Sequence, residues 1–429
     1  MVTPENILNA LPAGGLFRSP GLAWRLSPEP LSLTRAEVRQ LEGLGHVLAR
    51  FQDTAHDLYR RSAAGEDARW LAPMLEAGKP GWLVAAQRHI KGTKAAAIIR
   101  PDLLRCADGF ALTELDSVPG GMGVTLFLSR VYAAAGFDIL GGAEGIAEGF
   151  RRAHPQGATI AVSQESSDYR PEMEYLAQAL GAGFSCTDAE SLPPSLPPGS
   201  CLYRFFELFD TEAIPPAQAL LEAASRGELT MSPPPIEHQE EKIWLALLHC
   251  PGLQAYWRRH LRSAHLSRLH QLIPHSWIAD PTPLPPQAAL PWLNLHNWDE
   301  IAALSQKERH LVLKISGFAP TAWGARGVII GHDVSRGEWA TALQKALSCY
   351  PNELWLLQEF REAEVIEHPY YAPDGSVQTM RGRVRLCPYY FRESRGRTTL
   401  GGCLATISPE DKKKIHGMAD AILVPCQAV

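Results

Sequence analysis

Residues Ile99–Gly123 read IRPDLLRCADGFALTELDSVPGGMG. Two runs, IIRPDLL and GFALTELD, flank Asp108-Gly109, a dipeptide that favours the tight turn of a β-hairpin. Pairing the runs brings Arg100 and Asp102 alongside Glu114 and Asp116. Positions two apart on a strand share a face, so Glu114 and Asp116 point the same way. Two carboxylates on one face repel unless a cation separates them, and hard oxygen donors of this kind suit Mg²⁺. Gly120, Gly121 and Gly123 follow at once, and glycines there let backbone N–H groups come close to an anion. The alternative is an exposed hairpin whose charges are simply solvated.

The surrounding chain has 429 residues, too many for one core, and typical domain sizes predict two or three units. Hydrophobic residues make up 45% and charged residues 20%, a composition that excludes a mainly disordered chain. With 41 Lys and Arg against 46 Asp and Glu, the net charge of −5 offers no global field for nucleic acid. The eight cysteines show no CxxC pair and no metal-ligand spacing, which predicts reduced thiols in a cytoplasmic protein. No basic segment followed by a long apolar run opens the sequence, and no apolar stretch approaches the length of a membrane span. Neither nucleic acid nor membrane is therefore expected as a partner.

Residues 1–35 read as irregular, with many Pro and Gly. The run LTRAEVRQLEGLGHVLARFQDTAHDLYRRSA then has Leu41, Leu44, Val47, Leu48, Phe51 and Leu58 at helical spacing, with Thr34 as N-cap. After the glycines, VTLFLSRVYAAAGF predicts an apolar helix whose N-terminus is a ready anion site. ATIAVSQ, MEYLAQALGAGF and SCLYRFFELF give a strand, helix and strand, a βαβ pattern over about 155–210. EEKIWLALLHCPGLQAYWRRHLRSAHLSRLHQLIP is a basic helical tract broken near Pro251-Gly252, either a solvated face or a wall for an acidic ligand. A Pro-rich connection occupies 279–297.

The second informative stretch is RHLVLKISGFAPTAWGARGVIIG, Arg309–Gly331. LVLKI is an apolar strand that contains Lys314, and a buried ammonium predicts an anionic partner. Gly317, Gly324 and Gly327 then loosen the chain before VIIG resumes a strand. A strand, glycine loop and strand can fold over a triphosphate, although the spacing is not that of a P-loop. LWLLQEF predicts a buried strand ending in Gln358 and Glu359, where an adenine base could take hydrogen bonds, as could a strand simply leaving the core. Near the end, MRGRVRLCPYYF places Arg381, Arg383 and Arg385 on one strand face, where Arg383 and Arg385 are candidate contacts to an acidic substrate. A solvated edge strand is the alternative.

Together these motifs resemble the circularly permuted ATP-grasp ligases related to the synthetase domain of glutathionylspermidine synthase. In that family an Arg-x-Asp strand, a DG turn and a Glu-x-Asn strand hold the metal ions. Arg100, Asp102, Glu114 and Asp116 fill the pattern, with Asp116 in place of the Asn. The later lysine strand is matched by Lys314, the glycine loop by Ser316, Gly317, Gly324 and Gly327, and the QEF strand by Gln358 and Glu359. An earlier ATP-binding lysine of the family has no counterpart here; Arg262 and His265 lie nearest.

The resemblance implies an α/β (α+β) fold of mixed sheets with surrounding helices, with the metal half preceding the nucleotide-covering half. It implies an N-terminal helical segment over 1–90, the metal hairpin and its helix over 91–150, and a βαβ-type accessory part over 151–235. A basic helical region over 236–298 and the nucleotide-covering part over 299–429 complete the expectation. ATP and Mg²⁺ are the implied cofactors, with Asp102, Glu114 and Asp116 as metal ligands and Arg100 and Lys314 in catalytic roles. The implied reaction joins a small-molecule carboxylate to an amine through an acyl phosphate. A phosphotransferase and a degenerate binding or scaffold protein are the alternatives.

Overall fold

The computed structural model describes residues 1–12, 15–19, 22–90, 96–285, 288–322, 326–393, 396–412, 415 and 420–429. The architecture is α+β: a large, mostly antiparallel sheet, a small parallel sheet, a four-stranded antiparallel sheet, and helices around them. Backbone proximity divides the chain into two compact units. The first comprises Met1–Gln52, His89–Ile236 and Ala363–Val429, and the second Asp53–Arg88 and Glu237–Glu362.

In the first unit the large sheet runs in the order Leu31–Leu33, Ile422–Ala428, Thr398–Pro409, Val377–Arg392, Ile98–Cys106 and Gly109–Asp116. Val365–Tyr371 pairs along Val377–Arg392 as well. The arginine-bearing strand is therefore interior, bonded to Thr398–Pro409 and Ile98–Cys106, and the edge-strand alternative does not hold. The hairpin forms, but its loop is Ala107-Asp108, one residue before the Asp108-Gly109 turn expected from sequence: Cys106 pairs with Gly109, whose φ of +125° favours glycine, and the register shifts once between Asp102 and Leu103.

The described residues of the first 35 include regular elements that their composition does not predict. Pro4–Leu8 is a helix capped by Thr3 and Asn6, and Leu31–Leu33 runs parallel to Ile422–Ala428. The long-range partner of that strand lies nearly four hundred residues away in the chain, so local pattern could not reveal it. The helix Arg35–Ala63 starts in a capping box, with Glu37 N–H donating to Thr34 and the Glu37 carboxylate accepting from Thr34 N–H. Its predicted apolar positions are buried. Gly45 lets this helix lie against the Tyr390 ring, which would stand 2.4 Å from an added Cβ.

The parallel sheet has the order Phe184–Asp188, Ala158–Val162, Cys201–Phe205 and Thr230–Ser232. The βαβ reading is correct, but the helix Arg170–Leu180 ends sooner than MEYLAQALGAGF predicts. Gly181 and Gly183, both at positive φ, turn the chain into the additional strand.

The second unit holds the antiparallel sheet Ser276–Ile278, Trp355–Glu359, Leu311–Ile315 and Val328–Ile330. One face of it, with Trp277, Leu311, Leu313, Ile315, Trp355 and Leu357, packs on Ile301, Trp339, Leu343 and Ala346. Alternation along the strands sends Val312, Lys314, Leu356, Gln358 and Ser276 to the other face. The basic tract breaks into short helices, Trp244–His249, Gln254–His260 and Ser263–Leu272. Among the described residues, no helix is long and apolar enough to cross a membrane.

Candidate functional site

In the first unit the hairpin register sets Arg100 opposite Asp116 and Asp102 opposite Glu114. Directly opposed residues and residues two apart share a face, so all four side chains belong to one face. Arg100 bridges the two aspartates, with Nε 3.0 Å from Asp102 Oδ1 and Nη2 2.9 Å from Asp116 Oδ2. Its Nη1 donates to the Gly120 carbonyl at 3.0 Å, and the Tyr389 hydroxyl donates to the same oxygen at 2.8 Å.

The strand Val377–Arg392 completes the cluster. Arg385 Nη1 lies 3.0 Å from Asp102 Oδ2, and the Cys387 thiol donates to Asp102 Oδ1 at 3.4 Å. Burial pushes the Cys387 thiol up to about 12, so it stays protonated and able to donate. Burial also raises the Asp116 carboxyl above its ordinary range; Arg100 pulls it down and Glu114 pushes it further up. Asp116 Oδ1 accepts the Val118 N–H at 2.8 Å. Of the row read from sequence, Arg383 is turned to backbone carbonyls of Ala363 and Glu410, and Arg381 pairs with Glu410 on the surface. Arg385 is paired with a hairpin carboxylate, Asp102.

The glycine turn is capped by a carboxyl group of the chain's own. Glu172, from the helix Arg170–Leu180, accepts the Gly121 N–H at 2.6 Å and the Val124 N–H at 3.2 Å. The start of the helix Met122–Ala134 is thereby filled by a side chain, where sequence reading leaves it open to a ligand. Burial raises the Glu172 carboxyl to about 7, against the pull of those N–H groups and of Arg100. The glycines are needed for packing here: an added Cβ would meet the Tyr169 ring at Gly120 and Glu172 itself at Gly123.

In the second unit Lys314 is buried, and its Nζ donates to Gln358 Oε1 at 2.7 Å. Gln358 Nε2 in turn donates to Ser276 Oγ at 3.0 Å. These three polar side chains lie on the sheet face opposite the apolar core. Glu359 is exposed, and its N–H donates to the His275 carbonyl at 2.8 Å.

Ser316 and Gly317, at the start of the glycine loop, are buried against the segment that follows Ile236. The Ser316 hydroxyl donates to Glu241 and accepts the Ile243 N–H at 2.8 Å. A Cβ at Gly317 would come within 2.9 Å of the Glu240 carbonyl, and one at Gly327 within 2.2 Å of Ile315. Gly324 lies outside the described residues.

Beneath that loop is a charged cluster that the sequence did not signal. Lys79 Nζ lies 2.7 Å from Glu237 Oε1 and 2.7 Å from Glu241 Oε1, with all three side chains at most 3% exposed. Burial pushes the Glu237 carboxyl well above its usual range, while Lys79 and the Ser316 hydroxyl help hold Glu241 below it. One lysine is thus shared by two buried carboxyl groups, 2.7 Å from each. A Lys79 separated from its partners by about 160 residues offers no local pattern by which to find it.

The donor chemistry of Asp102, Glu114 and Asp116 suits a hard divalent cation. In this arrangement the two aspartates bind guanidinium groups, and among the described residues no three His, Cys, Asp or Glu side chains are gathered to hold a metal ion.

A solved structure from Methylobacillus flagellatus KT, described as a "putative gamma-glutamylcysteine synthetase", is similar over 91% of this chain and 87% of its own, at 11% identity and a TM-score of 0.40. No protein-family model and no curated protein sequence matches the chain.

Proposed function

We propose that the protein is an ATP- and Mg²⁺-dependent carboxylate–amine ligase that forms an amide or peptide bond through an acyl phosphate, on a circularly permuted ATP-grasp-like arrangement. The observation that carries this reading is the hairpin register, which puts Arg100, Asp102, Glu114 and Asp116 on one strand face. The antiparallel pairing of Leu311–Ile315 with Val328–Ile330 and Trp355–Glu359, with Lys314 and Gln358 off the core face, supports it independently.

When bound, Mg²⁺ supplies charge neutralisation along the triphosphate, and its ligands would be Asp102, Glu114 and Asp116. Lys314 would place a fixed positive charge against the phosphates from a strand that cannot swing away. Ser316, Gly317, Gly324 and Gly327 would form the covering loop, and Gln358 and Glu359 would meet the nucleotide base. Arg100, a planar fork, would steady the transferring phosphoryl group or the acyl phosphate. Arg385, and less directly Arg383, would receive the acidic substrate. An amine then attacks the activated carbonyl and phosphate leaves.

A second reading, a degenerate ATP-grasp-like binding or scaffold protein, is favoured by two observations. The hairpin aspartates are already neutralised by Arg100 and Arg385, and Ser316 is committed to Glu241 and Ile243. Isotope transfer separates the readings. A ligase moves ¹⁸O from the substrate carboxylate to released phosphate, a phosphotransferase leaves a stable phosphorylated product, and a scaffold shows no ATP turnover with any pool of amino acids and polyamines.

A further inference from the structure

Asp102 is a heavily engaged carboxylate of the hairpin. Its side chain is 5% exposed, and it receives Arg100 Nε and the Cys387 thiol on one oxygen and Arg385 Nη1 on the other. The three hairpin carboxylates and the two guanidiniums together carry a formal charge of −1, so the cluster is nearly neutral without any added ion. A divalent cation on the same carboxylates would bring it to +1 and would need the oxygens that the guanidiniums now occupy. Both guanidiniums cannot stay: cation and arginine want the same lone pairs, and like charges held together away from water are costly.

Arg100 and Arg385 differ in how firmly they are tied. Arg100 has two carboxylates and the Gly120 carbonyl. Arg385 has one carboxylate, Asp102, through Nη1, and the buried Nε of each guanidinium lacks a hydrogen-bond acceptor in good geometry. The guanidinium held by one carboxylate gives up less on moving to a new anion than the one held by two carboxylates and a carbonyl. Both side chains retain some solvent access, 15% for Arg100 and 17% for Arg385, so a small anion can reach the cluster.

We infer that Arg385 is an exchangeable counter-ion: it neutralises Asp102 while no divalent cation is bound, and when a cation takes Asp102 its fork turns to the carboxylate or phosphate of an acidic ligand. Cation and anion then bind cooperatively, each favouring the arrangement the other needs, and by linkage the effect is reciprocal. This rests on the hairpin being a cation site, as proposed above, and adds that the acidic substrate is read by the residue that guards the site.

Calorimetry with Mn²⁺ and inorganic phosphate as probes tests it. In the unaltered protein, saturating Mn²⁺ is expected to tighten phosphate about fivefold or more, and phosphate to tighten Mn²⁺ by the same factor. Arg385→Gln is expected to bind Mn²⁺ tighter than the parent and to lose the linkage. Arg381→Gln, which removes a surface charge four residues along the same strand, is expected to leave both affinities within about twofold. Independent binding of the two probes to the unaltered protein overturns the inference even if Arg385→Gln does not fold. So does Mn²⁺ affinity that is equal in parent and Arg385→Gln. Linkage without ATP turnover instead leaves the counter-ion intact and counts against the ligase, whereas unlinked Mn²⁺ binding with normal turnover does the reverse.

Discussion

The carboxylate of Glu172 accepts the backbone N–H of Gly121 at 2.6 Å, so the glycine turn after the hairpin is closed by a side chain from the helix Arg170–Leu180. A buried carboxyl raised to about 7 is favoured as the neutral acid. Its contribution to stability is fully present below its unfolded value near 4.5 and is lost as pH rises through 7. The difference in unfolding free energy between the parent and Glu172→Gln is therefore expected to change by up to roughly 3 kcal/mol between pH 4 and pH 8, with the parent losing ground as pH rises. Urea melts of both proteins across that range measure it, and parallel pH profiles would show that Glu172 is ionised at little cost.

Lys79 should matter for stability far more than a surface lysine. Lys79→Met leaves Glu237 and Glu241 buried without their cation, and a loss of about 3–5 kcal/mol is expected. The triple variant Lys79→Met, Glu237→Gln, Glu241→Gln should recover part of that loss because it removes the uncompensated charge. Chemical denaturation decides it; a loss under about 1 kcal/mol for the single variant would mean that the carboxyls neutralise themselves.

Glu114 faces Asp102 across the hairpin and is only partly buried. Glu114→Ala removes a ligand candidate and little core volume. Stability should change by less than roughly 1 kcal/mol, while ATP consumption should fall by about 10²-fold or more. Retention of near-normal ATP consumption in a well-folded variant would exclude the hairpin as the metal site.

The two candidate acidic-substrate contacts separate on structure. Arg383 is fastened to backbone carbonyls, whereas Arg385 meets Asp102. Arg385→Lys should raise the KM for the acid more than the KM for ATP, and Arg383→Lys should do neither by more than about twofold. Steady-state kinetics with each substrate varied in turn is the check, and equal effects of the two variants would contradict the assignment.

The hairpin was legible from its Asp-Gly turn signal and its two apolar runs, but its final register was not: the loop is Ala107-Asp108, and a bulge between Asp102 and Leu103 is what brings Asp102 to Glu114 and Arg100 to Asp116. The Lys314 strand and its neighbours were legible as short apolar runs between glycines and prolines, and strand alternation gave the face. Lys314 was expected to need an anion, and the structure gives its ammonium the Gln358 amide oxygen among its contacts. What escaped depends on contacts far apart in sequence. Nothing near Lys79 announces Glu237, and nothing in PGGMG announces Glu172. Arg385 and Arg383 looked like equal candidates because periodicity assigns a face but not a partner, and the interior position of their strand depends on Ile98–Cys106 and Thr398–Pro409 arriving on either side.

Nucleotide binding is the claim on which the functional account stands, and Lys314 tests it without knowledge of the acid or the amine. Lys314→Met keeps most of the apolar stem and removes the charge, leaving Gln358 short of one donor, so a stability loss of about 1–2 kcal/mol is expected with the fold retained. Calorimetric binding of a non-hydrolysable ATP analogue with Mg²⁺ to the parent and to Lys314→Met is the direct measurement. The parent is expected to bind, and the variant to bind at least about tenfold more weakly, about 1.4 kcal/mol or more. Equal affinity in the two folded proteins, or no binding to the parent, would contradict it and leave Leu311–Ile315 as an ordinary core strand.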